Sequence, residues 1–173
     1  SLTIAILEIP SGFFADSYGR KNSILISTFF SFIGYIILSN YSGFNQYLLA
    51  EILLGIGGSL ISGADSAIIY DTLLELDDED SYTKIEGKNY AIGNFSEAIA
   101  GILGGFLAMS SIYLPIYIQT FVIMLSIPIA FSLVEPKRKF KIITSLKSIL
   151  NIVKDTFIYN KKLKWYFIYS SAM

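Results

Sequence analysis

Apolar residues run in five long stretches, Leu2–Ala15, Ile24–Ser39, Tyr47–Leu74, Tyr90–Ala108 and Ile112–Val134, and the charged residues collect between them. A helix crossing a bilayer needs about 20 predominantly apolar residues. The first stretch is shorter than that, the second reaches it with Asn22 or Asn40, and the others are long enough. The pattern predicts an all-α integral membrane protein with hairpinned helices. A different period follows. Ile142, Leu146, Ile149, Leu150, Val153 and Phe157 recur three to four residues apart, with Lys147, Lys154 and Lys161 on the other face. That segment is expected to be an amphipathic helix lying in the membrane interface, joining two membrane regions. A further apolar run begins at Trp165–Met173. Apolar segments are cut at both ends, so the chain is expected to be a window from a longer protein.

Charge orients the spans. The thirteen Lys and Arg residues all fall on one side: Arg20 and Lys21 after the first stretch, Lys84 and Lys88 after the third, and nine from Lys137 to Lys164 after the fifth. The opposite connections, Ser39–Gln46 and Met109–Tyr113, carry no charge. Basic loops stay cytoplasmic, so 16–23, 75–89 and 135–164 are expected to be cytoplasmic, in a multi-pass plasma (inner) membrane protein. Acidic residues in 75–88 scarcely influence this assignment. Residues 1–135 are expected to form one membrane region, 136–164 a cytoplasmic loop, and 165–173 the start of the next region.

Composition narrows the chemistry. Hydrophobic residues make up 53% and charged residues 16%, and there is neither Cys nor His. Disulfides, thiolate metal sites and Ser-His-Asp or Cys-His catalysis therefore cannot be built from this chain. Gly55-Ile56-Gly57-Gly58-Ser59-Leu60 fails the dinucleotide pattern at Leu60, and no phosphate-binding loop occurs. The basic loop has too few interleaved aromatics for nucleic-acid binding. No cofactor or metal is expected, and no enzyme activity.

The most specific string is Gly12-Phe13-Phe14-Ala15-Asp16-Ser17-Tyr18-Gly19-Arg20-Lys21, at the inner end of the first span. Gly12 lets another helix approach, Gly19 permits a tight reversal, Asp16 can accept charge-assisted hydrogen bonds, and Arg20 and Lys21 hold the loop inside. Read bare, the string ends a helix and sets topology. It also resembles the G-x-x-x-D-x-x-G-R-K/R signature between the second and third helices of the major facilitator superfamily. Glu8-Ile9-Pro10-Ser11 before it is similar to the lead-in of bacterial drug-efflux-like members. The resemblance implies a partial major facilitator fold, from the second helix to the beginning of the seventh. It also implies a loop that latches two halves of a transporter, assisted by an acidic residue at the inner end of the fourth helix. Asp71 stands there, so Asp16, Arg20 and Asp71 are expected to form a charge cluster.

Four acids lie within the apolar spans: Glu8, Glu51, Asp65 and Glu97. Desolvation favours the uncharged form of an unpaired carboxyl, which makes them candidate proton carriers or ligands for a cationic substrate. Each could instead be hydrogen-bonded or paired with a base elsewhere. Glu51, Gly55, Gly58, Ser62 and Asp65 share one helical stripe, its carboxylates about 21 Å apart at 1.5 Å per residue. Gly93, Glu97, Gly101 and Gly105 form another. Gly104-Gly105 resembles the end of the family's antiporter signature G-P-x-x-G-G, with Ala100 and Gly101 where its Gly and Pro would be. Gly55, Gly58, Gly101, Gly104 and Gly105 are expected to mediate close helix packing. The resemblance, taken with these acids, implies a secondary active transporter, with proton-coupled efflux of a small cationic or amphipathic molecule by alternating access as the expected function. Its partners would be the bilayer, the substrate, protons and the remaining C-terminal half. A truncated interaction module and an integral-membrane enzyme are the alternatives.

Overall fold

The structure, a computed structural model, describes residues 7, 11, 12, 14–40 and 43–137. Glu8, the amphipathic segment and the run from Trp165 lie outside the described residues. The chain divides into two compact units, Ser1–Phe140 and Lys141–Met173, and the described residues all belong to the first.

Helical residues 14–18 lead through Gly19 into α1, Arg20–Asn40. Then come α2 (Phe44–Ser62), α3 (Asp65–Glu75), a 3₁₀ turn at Glu79–Ser81, α4 (Tyr82–Ser110) and α5 (Leu114–Ser132). Among the described residues, four helical stretches, with α2 and α3 taken as one, are long and apolar enough to cross a membrane. At 1.5 Å per residue the 21 residues of α1 span about 30 Å, the hydrocarbon thickness of a bilayer. All the described spans are helical because lipid offers nothing to bond an open backbone, and a helix satisfies its own N–H and C=O groups.

The packing is inverted relative to a water-soluble protein. The largest fully buried side chains are Ser23, Ser27 and Ser59, whereas Ile102, Phe106 and Phe121 are more than half exposed. Lipid tails are as apolar as leucine, so helices meet through small residues and hydroxyls instead. α1 is central, packed on α2 along one side and α5 along the other. At the α1–α2 seam Ser27 Oγ donates to the Gly57 carbonyl at 2.7 Å. Other hydroxyls bond back to their own helix: Thr28 to Leu25, Ser59 to Ile56 and Ser126 to Ile123. None of these is left unsatisfied in lipid. Toward α5, Phe29 meets Phe131 edge-to-face at 6.3 Å. Pro115 falls in the first turn of α5, where no N–H partner is needed, and Pro128 lies inside the helix.

The stretch Tyr47–Leu74 falls within one membrane span but is not one unbroken helix: it breaks at Gly63–Ala64, where Ala64 N–H turns back to the Ile61 carbonyl at 2.9 Å. Close packing runs through Gly57 and Gly34. A Cβ at Gly57 would lie 2.5 Å from Ser31 Oγ, and one at Gly34 2.9 Å from Leu54 Cγ. Gly58 lines a cavity of about 400 Å³ with Ser27, Ser31, Tyr35 and Gln119. A Cβ at Gly101, Gly104 or Gly105 meets nothing within 4 Å among the described residues. Gly55 is buried on α2.

α3 ends in a Schellman turn. Asp78 N–H bonds the Leu73 carbonyl at 3.0 Å and Asp77 N–H the Leu74 carbonyl at 3.4 Å, with Asp77 at φ 55 in the place usually held by glycine. The chain then reverses into α4, and Tyr70 and Tyr82 meet edge-to-face across the turn at 5.3 Å.

Candidate functional site

Arg20 organises the charged end of the bundle. It is the first residue of α1, and its side chain is 12% exposed. Each guanidinium nitrogen reaches a different segment. Nη2 pairs with Asp16 Oδ1 at 2.6 Å, one turn back; Nε meets Asp71 Oδ2 on α3 at 3.4 Å; and Nη1 donates to the Gly63 carbonyl at 3.1 Å. Only a planar fork with several donors can serve three acceptors in three directions. Asp71 is 15% exposed and Asp16 57%. The inner pair therefore feels less solvent screening than the outer one.

The Gly63 contact explains the break between α2 and α3. In an unbroken helix that carbonyl would accept from an N–H four residues on. Here Arg20 takes it instead, and a side chain supplying a freed backbone group is what permits a helix to break. Gly63 also lies against the backbone of Gly12, a Cβ there standing 3.3 Å from Gly12 Cα. Gly12, Asp16, Gly19, Arg20 and Asp71 thus surround one small volume.

Glu135 belongs to this site, and the sequence reading passed over it. Its carboxylate accepts from Arg20 N–H at 2.8 Å and Lys21 N–H at 2.7 Å, capping the start of α1 from just beyond the end of α5. Gly19 makes room: its φ is +104°, and a Cβ there would stand 3.0 Å from Glu135 Oε1. Two residues on, Lys137 N–H donates to Glu75 Oε2 at 2.9 Å. One signal was legible. No Ser, Thr, Asp or Asn stands at the residue before Arg20, so the helix start lacked a local cap.

The Major Facilitator Superfamily model matches residues 1–173. The chain belongs to the Major Facilitator Superfamily. It is 34% identical over 111 residues to an uncharacterised MFS-type transporter, YxaM, of Bacillus subtilis, covering 64% of this chain and 27% of that protein. To an uncharacterised transporter of Buchnera aphidicola subsp. Schizaphis graminum it is 27% identical over 160 residues, 92% of this chain and 39% of the relative. A third relative, from Buchnera aphidicola subsp. Acyrthosiphon pisum, is 26% identical over 174 residues and also carries a transporter name. No solved structure matches. The chain spans between 27% and 43% of the length of these curated relatives.

This facilitator chain is accordingly a multi-pass membrane protein with part of the superfamily's all-helical fold. The relatives it matches are named as transporters, not enzymes. The remaining candidate acids do not converge. Glu51 is exposed in the second turn of α2, toward the neutral end, and Glu97 is exposed midway along α4, on the open glycine face. Asp65 opens α3 two residues after Gly63, whose carbonyl Arg20 reaches. With Ser66, Glu86, Asn89 and Tyr90 it lines a cavity of about 200 Å³ between α3 and α4. Ser66 Oγ donates to Glu86 there. Glu86 is a second acid that the sequence reading left unassigned.

Proposed function

We propose that the protein containing this chain is a secondary active transporter working by alternating access, exporting a small cationic or amphipathic molecule in exchange for protons. The observation that carries the reading is the three-way bonding of Arg20 within the superfamily's signature loop. A charged hub that ties a loop, a helix break and a neighbouring helix is suited to hold one conformation and release it. The hub sits at the end that carries Lys21 and Lys137, which the charge distribution of the sequence marks as the cytoplasmic one.

Proton coupling is assigned to Glu97. It stands midway along α4 on an open glycine-lined face, and no Lys or Arg lies in the apolar stretch Tyr90–Ala108 around it. A carboxyl exposed alternately to two sides can load and release a proton as access changes. Asp65 and then Glu8 are the next candidates for that role.

Counterflow with the full-length protein in proteoliposomes, against a panel of organic cations, amphipathic drugs and sugars, tests the class of substrate. Movement of sugars alone would overturn the cationic assignment. Glu97→Gln mimics the protonated state and cannot cycle. It should keep substrate exchange yet lose accumulation driven by a pH gradient, and gradient-driven transport equal to the parent's would remove Glu97 from the coupling path.

A further inference from the structure

We infer that Glu135 is a positioning residue of the gate: by capping α1 from just beyond the end of α5, it sets where the Arg20 side chain points. The inference rests on the transport reading above and adds to it the chain that leaves α5. A helix start has four N–H groups without intrahelical partners, and a neighbouring Ser, Thr, Asp or Asn usually takes one of them. Here the residue before Arg20 is Gly19, which has no side chain to offer. The carboxylate of Glu135 supplies the cap instead, one oxygen on Arg20 N–H at 2.8 Å and the other on Lys21 N–H at 2.7 Å. A charged acceptor at the positive end of a helix is favoured twice, by the hydrogen bonds and by the helix dipole.

The geometry links this cap to the gate. The amide that Glu135 holds is that of Arg20 itself, so the bond fixes the root of the side chain that reaches Asp71 and the Gly63 carbonyl. Gly19 and Glu135 depend on each other. At φ +104° the turn swings the carboxylate into the space where any Cβ would stand, with Oε1, Cδ and Oε2 all within 3.1 Å of it. The same segment is held again two residues later, where Lys137 N–H bonds Glu75, the last residue of α3. The segment 135–137 therefore joins α1 to α3 in parallel with Arg20. A change in that segment moves Arg20 through the backbone.

The test uses the full-length protein with Ser23→Cys as reporter. Ser23 is completely buried in the first turn of α1, and its hydroxyl has no hydrogen-bond partner among the described residues, so a thiol fits with little disturbance. In inside-out vesicles, Glu135→Ala should raise maleimide labelling of that thiol several-fold. It should also slow transport by about tenfold, the scale of one lost charge-assisted hydrogen bond, with substrate binding little changed. In an Arg20→Ala background the second substitution should cost no further rate, because both act through one side chain. Glu135→Gln keeps the size but offers one acceptor oxygen, and serves if the alanine variant fails to insert. Unchanged labelling would overturn the proposal, as would faster labelling with parental transport, or additive losses in the double variant. A failure of the transport reading looks different. The parent then moves no compound in the panel, while the labelling arm still decides for or against the cap.

Discussion

Substituting Gly57 by alanine tests the claim that α1 and α2 meet through this residue. A Cβ there would stand 2.5 Å from Ser31 Oγ, 3.0 Å from the Ser27 carbonyl oxygen and 3.4 Å from Ser31 N. The Ser31 hydroxyl can rotate away. The Ser27 carbonyl is helix backbone and cannot, so the helices must move apart by some tenths of an ångström. Overpacking of this kind costs about 1–3 kcal/mol. Separation also stretches the Ser27–Gly57 hydrogen bond of 2.7 Å, and interhelical bonds in membranes average roughly 0.6 kcal/mol. Alanine's better helix propensity returns about 1 kcal/mol. The net loss is about 1–2 kcal/mol, a fall in Tm of about 2–8 °C for a domain of about 150–250 residues. Monomer remaining after heating in detergent, read by gel filtration, measures it. Gly105→Ala is the control, since its Cβ meets nothing within 4 Å among the described residues. A Gly57→Ala variant as stable as the parent would refute the packing assignment.

Other outcomes follow from the same contacts. Arg20→Lys keeps the charge but has one nitrogen where three are used, so transport should fall at least tenfold, by about 1.4 kcal/mol or more, while the protein still inserts and is recovered from membranes. Asp77→Gly should stabilise, by up to about 1 kcal/mol, because φ 55 suits glycine better than aspartate; a Tm below the parent's would count against it. Cysteines introduced at Ser42 and Ser111 should react with an impermeant thiol reagent outside intact cells, and ones at Ser81 and Ser145 should not. The reverse pattern would invert the topology.

What could be read from the sequence was what is local. Apolar length located the spans, so Ile24–Ser39 falls inside α1 and Ile112–Val134 encloses α5. Tyr90–Ala108 missed the first two turns of α4, because that helix continues beyond its apolar part as a polar projection. Asp16 and Arg20 are four apart and pair as helical neighbours do. What could not be read depends on partners far along the chain. The break at Gly63 exists because Arg20 and Gly12 lie against it. The cap on α1 comes from 115 residues away. The close approach at Gly57 is made with the serines of α1, and nothing in α2 alone says which way they face.

On the proposed reading the hub would do two jobs, and its residues would divide between them. Arg20, Asp71 and Glu135 satisfy backbone and charge in a poorly hydrated place, so removing any one strands a polar group and should cost stability as well as motion. Asp16 is different. At 57% exposure its pair with Arg20 is solvent-screened and contributes little to folding. Its substitution is therefore where gating can be separated from structure. In the full-length protein, Asp16→Asn should leave thermal stability within about 1 kcal/mol of the parent and substrate binding intact, yet slow turnover. If turnover also stays at the parental rate, the Asp16 contact is a helix end and a topology signal. The gate must then be sought in Asp71 and Gly63, the other two partners of the Arg20 side chain.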